Sequence, residues 1–140
     1  HVQKADYQGT IRIAGLPFAD VEQAKAARHV IATCEELVES DALRIDPDQN
    51  QIPFFCVDAV VPIRFGAYPT ACYRHYDYDP AYLNHYKQVA MDNAKYAAYL
   101  DTYIFSVSDQ KGLMERIGTD RIQAIRADPR TGYANGLDRR

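Results

Sequence analysis

The sequence has 140 residues, a length typical of one domain, with 47% apolar and 25% charged residues. This balance is that of an ordinary globular domain and excludes collagen-like repeats, coiled coils and intrinsic disorder. The net charge of −3 and the scattered basic residues provide no positive footprint for nucleic acid. The apolar runs are far shorter than the ~20 residues that cross a bilayer. We therefore expect neither nucleic acid nor a membrane as a partner.

Three cysteines, Cys34, Cys56 and Cys72, lie in apolar segments. An odd number in such surroundings indicates free buried thiols rather than a disulfide framework. Free thiols persist in reducing compartments, and the sequence does not open with the basic and apolar regions of a signal peptide. We therefore expect a cytoplasmic protein. Because it opens on His1 within a patterned segment, we also expect a piece of a longer or split polypeptide.

The first part of the sequence has the pattern of an α/β fold. Residues 10–14 alternate apolar and polar side chains and predict a short strand, whereas the apolar run at residues 29–34 predicts a strand buried on both faces. Between them, Asp20 and Gln23 resemble a capping box and predict a helix over residues 21–28. A strand, a helix and a strand in this order favour a βαβ unit of a parallel sheet.

A further predicted strand leads into a candidate binding loop. Residues 57–63 form an apolar run, and the segment that follows is marked by glycine and proline. In open α/β sheets, ligands bind beyond the carboxyl ends of strands, and glycine allows the backbone to approach a ligand closely. A turn needed only for packing is the alternative. We predict that this loop binds substrate through five residues: Phe65, Gly66, Ala67, Tyr68 and Thr70.

From residue 79 onward the pattern is helical. Asp79 and Pro80 predict the start of one helix, Asp92 that of a second, Asp109 that of a third and Asp120 that of a fourth. The last residues contain two glycines and few apolar side chains. The predicted division is an α/β part, a helical appendage and a loose tail, at residues 1–78, 79–129 and 130–140.

Tyrosine is the unusual feature of the composition, since nine of the 11 tyrosines fall within residues 68–103. Tyr96, Tyr99 and Tyr103 lie on one stripe at helical spacing. Such rings favour core packing or a subunit contact, because they bury a large area while the hydroxyl finds a polar partner at the edge. A ligand-lining role stays open for three loop tyrosines: Tyr68, Tyr73 and Tyr76.

Two sets of reactive side chains invite a catalytic interpretation. His75, Asp77, Asp79 and His85 suit zinc or iron, but their spacing matches no known ligand pattern, and solvated loop residues with one N-cap explain them better. Cys72 lies near His75 and suggests a nucleophile and its base. Residues three apart in an extended segment rarely meet, however, so a small buried cysteine is favoured.

No complete mechanism emerges from these residues. Glu35 and Glu36 suggest a paired acid and base, but adjacent side chains face different ways, which favours solvated or capping roles. The sequence contains no nucleophile elbow, phosphate-binding loop, dinucleotide fingerprint or CxxC pair. We therefore assign no catalytic residue and no metal ligand.

Read in order, several segments resemble the carboxy-terminal half of the A subunit of family I coenzyme A transferases, of the glutaconate and 3-oxoacid type. Each segment is unspecific alone, but their order over residues 1 to about 105 is specific. The matching segments are residues 1–6 with Gly9, 18–20 with the helix that follows, 30–38, 52–53, 57–61, 66–70 and 76–79.

The resemblance implies an α/β, parallel-sheet CoA-transferase-like (NagB/RpiA-like) fold with a helical C-terminal appendage. It implies a reaction that moves CoA between an acyl-CoA and a carboxylic acid, with the nucleophilic glutamate on a partner B subunit. The acyl-CoA is then a substrate, and no permanently bound cofactor is expected. The implied partners are the remaining half of the A subunit and a B-type subunit, so the chain alone is not expected to be active.

Two alternatives to transfer remain open. One is a hydrolase of the same fold that cleaves a cyclic CoA thioester. The other is a noncatalytic interaction domain that uses the tyrosine stripe as its binding surface.

Overall fold

The structure, a computed structural model, describes residues 1–137. One mixed sheet contains four strands in the order β2–β1–β3–β4. β1, β3 and β4 are parallel, whereas β2 is antiparallel to β1. This mostly parallel sheet, followed by helices, confirms the predicted α/β fold class. The strands are β1 Val2–Asp6, β2 Ile11–Arg12, β3 Ile31–Val38 and β4 Ala59–Pro62.

Six α-helices lie within the described residues, and four of them follow the sheet. They are α1 Asp20–Ala26, α2 Ser40–Arg44, α3 Pro80–Val89, α4 Asn93–Leu100, α5 Gln110–Ile117 and α6 Thr119–Ala124. A π-helical turn, Asp101–Phe105, continues α4, and two short 3-10 turns cover Pro47–Gln49 and Phe54–Cys56. In this part of the chain, no helix has the length and apolar character needed to span a bilayer.

Three aspartates cap the helices that follow β4. Asp79 accepts a hydrogen bond from the Tyr82 N–H, and Asp92 and Asp109 cap α4 and α5 in the same way. Such a side chain replaces the hydrogen-bond partner that the first backbone N–H groups of a helix lack. These three predicted helix starts are confirmed. The fourth predicted helix, α6, begins without a side-chain cap.

β1 is not evident from the sequence. Val2 and Ala5 are buried, and β1 pairs along its length with β3. Three polar residues, Gln3, Lys4 and Asp6, interrupt the apolar pattern and hide the strand. Two of them are nevertheless buried, since Gln3 and Asp6 are 8% and 2% exposed.

The predicted βαβ unit is wrong in its first strand. The segment predicted at residues 10–14 forms only two residues of strand, and it pairs antiparallel with β1. The parallel crossover therefore runs from β1 to β3. The capping box is also wrong, because Ala19 is the N-cap of α1 and makes no side-chain hydrogen bond. The Asp20 carboxylate instead accepts a hydrogen bond from the Phe18 N–H.

Two strands differ from their predicted limits. The strand predicted at residues 29–34 corresponds to β3, which begins at Ile31 and extends to Val38. Ile31 is 71% exposed, so the strand is not buried on both faces throughout. The strand predicted at residues 57–63 is shorter and lies at the edge of the sheet, where most of its residues are exposed. The greater length of β3 places Glu35 and Glu36 within the strand rather than after it.

The core has two apolar clusters. The first packs around the sheet: Val2, Ala5, Ile11, Ala32, Cys34 and Ile52. The second contains Cys72, Tyr76 and Ile125, and the loop after β4 packs against it. All three cysteines are free, as predicted, although Cys56 is only partly buried.

The segment predicted as a loose tail contacts the body of the chain within the described residues. Ala134 is 4% exposed, and its N–H donates to the Asp77 carboxylate (3.0 Å). The Tyr133 ring packs edge-to-face against Tyr73. The end of the predicted tail, residues 138–140, lies outside the described part.

Candidate functional site

The loop after β4, residues 63–70, lies over a buried carboxylate. Glu35 is 7% exposed and accepts hydrogen bonds from the Phe65 N–H (3.0 Å) and the Tyr76 hydroxyl (2.8 Å). Nε2 of His1 lies 2.7 Å from the same carboxylate. The solvated or capping role predicted for Glu35 is wrong, because β3 extends through this position and places the side chain inside.

The residues after Phe65 pack closely against His1 and Tyr76, the two side chains that contact Glu35. An added Cβ at Gly66 would lie 2.5 Å from Cε1 of His1, so a side chain there collides with the ring. The Ala67 N–H donates to the Tyr76 hydroxyl (2.9 Å), which itself donates to Glu35. Burial, reinforced by the Glu35 charge, raises the pKa of Tyr76, so its hydroxyl keeps the proton that it donates. Hydrogen bonds to Glu35 and Tyr76 therefore fix the position of the loop.

The far end of the loop rests on a second buried carboxylate, Asp79. The Tyr68 hydroxyl donates to Asp79 (2.8 Å), and the Arg121 guanidinium donates to both carboxylate oxygens (2.8 and 3.3 Å). Burial opposes ionisation, but hydrogen bonds from Arg121, the Tyr82 N–H and Tyr68 together hold the pKa of Asp79 below its usual range. Since Arg121 lies on α6, this ion pair joins the helical part to the loop.

The five residues predicted to bind substrate thus share one well-supported loop. Phe65 lines a cavity of about 250 Å³, and its φ of 58° is an uncommon left-handed conformation for a bulky residue. Such backbone strain is found preferentially at functional sites. Gly66 and Thr70 are exposed, whereas Ala67 and Tyr68 are half-buried and direct polar groups inward. Their role in substrate binding stays a prediction.

Three groups beneath the loop have the chemistry of metal ligands. Ligand atoms of His1, Glu35 and Cys72 lie within 4.8 Å of one another. Both ring nitrogens of His1 already have partners, however, in the Thr33 hydroxyl (2.8 Å) and Glu35. Burial, with the Glu35 charge, raises the pKa of Cys72 to about 12, so this thiol stays protonated at neutral pH. The small buried cysteine that the sequence favours is confirmed, since Cys72 is 4% exposed. The histidine grouped with it is His1, not His75, the base considered from the sequence.

The four residues considered as metal ligands from the sequence do not form one group. Asp77 and Asp79 are buried and hydrogen-bonded within the chain, so they are not solvated loop residues. His75 lies 3.4 Å from Glu36, and the His85 ring packs near a tyrosine of α4. The N-cap predicted at Asp79 is the part of that interpretation that is confirmed.

A cavity of about 720 Å³ opens beside β1 and β2. Its basic lining residues come from distant parts of the chain: Lys4, Arg12, Arg74, His75 and Arg126. Lys4 is in register with Arg12 on one side and Glu36 on the other, so these three side chains share one face of the sheet. The sequence offers no local signal for this cavity, because β1 is hidden and the arginines lie far apart.

Known proteins match this architecture closely. The crystal structure of glutaconate coenzyme A-transferase from Acidaminococcus fermentans superposes with a TM-score of 0.92 and 38% identity, covering 99% of this chain and 43% of that one. The A subunit of glutaconate CoA-transferase from the same organism is 38% identical over 133 residues, or 95% of this chain and 42% of that protein. The chain is homologous to CoA-transferase A subunits. No protein-family model matches it.

Other matches agree with this relationship. The A subunit of 3-oxoadipate CoA-transferase from Pseudomonas knackmussii is 29% identical over 109 residues, covering 78% of this chain and 38% of that protein. The structure of a variant of the decarboxylase AibA/AibB matches with a TM-score of 0.62 and 32% identity, covering 75% of this chain and 37% of that one. This CoA-transferase homologue therefore spans less than half the length of each of these relatives.

Proposed function

We propose that this chain is part of the A-type subunit of a CoA-transferase, which moves CoA between an acyl-CoA and a carboxylic acid. The observation that carries the proposal is the match to glutaconate coenzyme A-transferase, which extends over 99% of the chain with a TM-score of 0.92. The loop after β4 and both of its buried carboxylates lie within that match.

The nucleophile is proposed to be a glutamate of a B-type partner subunit. Such a carboxylate attacks the thioester carbonyl and expels CoA as the thiolate, leaving an acyl anhydride. The thiolate then attacks the glutamate carbonyl, forms an enzyme thioester and releases the first carboxylic acid. Glu35 is poorly suited to this role, because it is buried and accepts hydrogen bonds from Phe65 and Tyr76. Cys72 is equally unsuited, since it is a protonated, buried thiol.

The contribution proposed for this chain is one wall of the pocket. Thioester exchange needs a closed site that keeps water from the activated acyl group. A loop fixed by Glu35 at one end and Asp79 at the other is preorganised for such a wall. The residues proposed to face the substrate remain those of the predicted loop: Phe65, Gly66, Ala67, Tyr68 and Thr70.

The partners proposed are the rest of the A subunit and a B-type subunit, with acyl-CoA and a carboxylic acid as substrates. CoA is a substrate in this scheme rather than a resident cofactor. A cytoplasmic location remains part of the proposal, and the three free cysteines are compatible with it.

The test uses the complete enzyme, assembled from the full A subunit and its B-type partner. We expect CoA to pass from an acyl-CoA to a second carboxylic acid, with no turnover when the acceptor acid is omitted. Borohydride added during turnover should reduce an enzyme thioester and label the partner chain. Repeated turnover of acyl-CoA without an acceptor acid, beyond the amount that loads the enzyme as its thioester, would contradict transfer.

Two further activities are separated by the same assay. A hydrolase of a cyclic CoA thioester releases product without an acceptor and accumulates no enzyme thioester. Decarboxylation is considered because a variant of the decarboxylase AibA/AibB matches 75% of the chain, and it is recognised by release of carbon dioxide. We favour transfer, since the match to the transferase is higher in both TM-score and coverage.

A noncatalytic interaction domain has less support. Tyr99 packs against Tyr82, Tyr86 and Tyr103, and its hydroxyl lies 2.8 Å from that of Tyr82. The tyrosine stripe therefore joins α3 to α4 and its π-helical extension. Loss of assembly without unfolding in a Tyr99→Ala variant would instead favour the interaction role.

A further inference from the structure

The loop after β4 contains a backbone conformation that requires support. Phe65 has a φ of 58°, a left-handed conformation that is unfavourable for a bulky side chain. Such a conformation persists only when the surrounding contacts over-determine it. The α/β part of the chain supplies two of these contacts, since the Phe65 N–H donates to Glu35 (3.0 Å) and the Phe65 ring packs against that of Tyr76 (4.8 Å between centroids). A third contact comes from the helical part.

Gln110, the first residue of α5, binds the backbone on both sides of the Phe65 Cα. Its side-chain nitrogen, Nε2, donates to the carbonyl oxygens of Arg64 (3.1 Å) and Phe65 (3.2 Å). An amide nitrogen carries two hydrogens, so one group can serve both acceptors. The two carbonyls belong to the peptide planes that flank the Phe65 Cα, and their relative orientation is set by φ and ψ of this residue. Binding both carbonyls therefore holds Phe65 in its left-handed conformation.

The start of α5 fixes the position of Gln110. The side chain of Asp109 accepts a hydrogen bond from the Gly112 N–H (2.8 Å), and its carbonyl accepts one from the Leu113 N–H (3.1 Å). A glycine at position 65 would adopt the left-handed conformation without strain. A phenylalanine that three separate parts of the chain hold in this conformation is a strained feature of the kind found at functional sites.

We propose that Gln110 is a positioning residue, which holds Phe65 and the loop in the conformation that keeps water out of the thioester pocket. This inference rests on the proposed function, in which the loop forms one wall of that pocket. The wall excludes water only while it stays closed, and water that reaches the enzyme thioester hydrolyses it to the CoA thiol and the free glutamate. Gln110 acts through Phe65 and not on the reacting atoms. Loss of its hydrogen bonds should therefore let water compete with the acceptor acid.

The experiment measures how the complete enzyme divides its thioester between the acceptor acid and water. Transfer yields a new acyl-CoA, whereas hydrolysis yields free CoA thiol, and both products are quantified by chromatography in one reaction. Their ratio does not depend on the fraction of enzyme that is folded, because both come from the same active molecules. We expect Gln110→Ala to raise the ratio of free CoA to new acyl-CoA about tenfold or more, since two hydrogen bonds that hold the loop are lost.

Three further variants separate the positioning role from a general loss of stability. Gln110→Glu keeps the size of the side chain but presents an ionised carboxylate, which cannot donate, so its ratio should rise at least as much as that of Gln110→Ala. Gln88→Ala removes the same side chain from an exposed position of α3, and Asp92→Ala removes the cap of α4. Both should keep the parental ratio. A parental ratio in Gln110→Ala and Gln110→Glu would overturn the proposal.

Hydrogen–deuterium exchange of the same enzymes distinguishes this inference from the proposed function. Backbone amides of residues 65–70 should exchange faster in Gln110→Ala than in the parent, Gln88→Ala or Asp92→Ala, because the loop opens more often. Faster exchange in an enzyme that transfers no CoA would support the role of Gln110 in holding the loop while contradicting the transferase. Normal transfer, with parental exchange and a parental product ratio in Gln110→Ala, would support the transferase and overturn the role of Gln110.

Discussion

The two ends of the loop after β4 rest on buried carboxylates of different character. Glu35 belongs to the sheet and is held by a backbone N–H, a tyrosine hydroxyl and a histidine ring. Asp79 begins α3 and is held by an arginine, a tyrosine hydroxyl and a backbone N–H. Both are less than one-tenth exposed. These two carboxylates anchor the loop in different ways. The Glu35 anchor depends mainly on hydrogen-bond geometry, whereas the Asp79 anchor also has a permanent countercharge in Arg121.

This difference determines how much stability the protein should lose when either carboxylate or one of its partners is substituted. A buried carboxylate with a guanidinium partner leaves an uncompensated charge when one partner is removed. A carboxylate surrounded by hydrogen-bond donors leaves unsatisfied donors instead. The Asp79 anchor also supplies the first capping hydrogen bond of α3 and joins α6 to the loop, so its loss should affect more of the molecule.

The largest effect is expected for Asp79→Ala. The variant loses the helix cap, the acceptor for the Tyr68 hydroxyl and the partner of Arg121, and should lower the free energy of unfolding by about 2–4 kcal/mol. The Arg121 side chain is 40% exposed, and solvent screening keeps the value below that of a fully buried pair. Urea unfolding of the purified protein measures the change.

Asp92→Ala is the matched control for this variant. Asp92 caps α4 by the same geometry, but its nearest cation, Lys95, lies 3.9 Å away and is exposed. Its loss should cost about 1 kcal/mol. Equal effects of Asp79→Ala and Asp92→Ala would mean that Asp79 is only a helix cap, and that the proposed second anchor is wrong.

Glu35→Gln should have the next largest effect. The amide oxygen can still accept one hydrogen bond, but the amide nitrogen meets donors at Phe65 or Tyr76, so a destabilisation of about 2–3 kcal/mol is expected. Glu36→Gln, at the neighbouring but partly exposed position, should cost less than about 1 kcal/mol. Thermal unfolding of both variants measures the difference, and a larger loss in Glu36→Gln would contradict the assignment of the buried anchor.

Gly66→Ala tests how tightly the loop is fitted above the Glu35 anchor. The new methyl group collides with the His1 ring, and displacing that ring should cost about 1–2 kcal/mol. Gly112→Ala is the control, because a Cβ there meets nothing closer than 3.4 Å and a helical alanine should stabilise by about 0.5–1 kcal/mol. Opposite signs in urea unfolding are expected, and a stabilised Gly66→Ala variant would show that the loop is not closely packed.

The contrast between the two anchors also shows what the sequence can and cannot reveal. The cap at Asp79 is predictable because its partner is only three residues away. The ion pair with Arg121 is not, since α6 returns to the loop only in the folded chain. The role predicted for Glu35 is wrong for the same reason: its burial follows from the continuation of β3 and from the contact with His1, and neither leaves a local pattern. The resemblance to CoA-transferases is confirmed because it depends on the order of several segments rather than on one local pattern.

The smallest expected effect is the pH dependence of the stability that Asp79 contributes, which tests whether the countercharge of Arg121 matters. The pKa of Asp79 is lower in the folded chain than the unfolded value of about 3.9. Its ionised form therefore contributes stability that is present above that unfolded value and is lost as the pH falls through the folded pKa. The difference in unfolding free energy between the parent and Asp79→Asn should be constant near neutral pH and shrink below about pH 4. Urea titrations at several pH values measure it.

Arg121→Gln provides the control for this pH dependence. Removing the countercharge should take away part of the same acid-sensitive stability, and the double variant Asp79→Asn/Arg121→Gln should lose little beyond the more damaging single one, because the residues act as a pair. Stability curves of the parent and Asp79→Asn that stay parallel down to about pH 3 would show that the countercharge does not stabilise ionised Asp79. The two anchors would then be equivalent, and hydrogen-bond geometry alone would hold both ends of the loop.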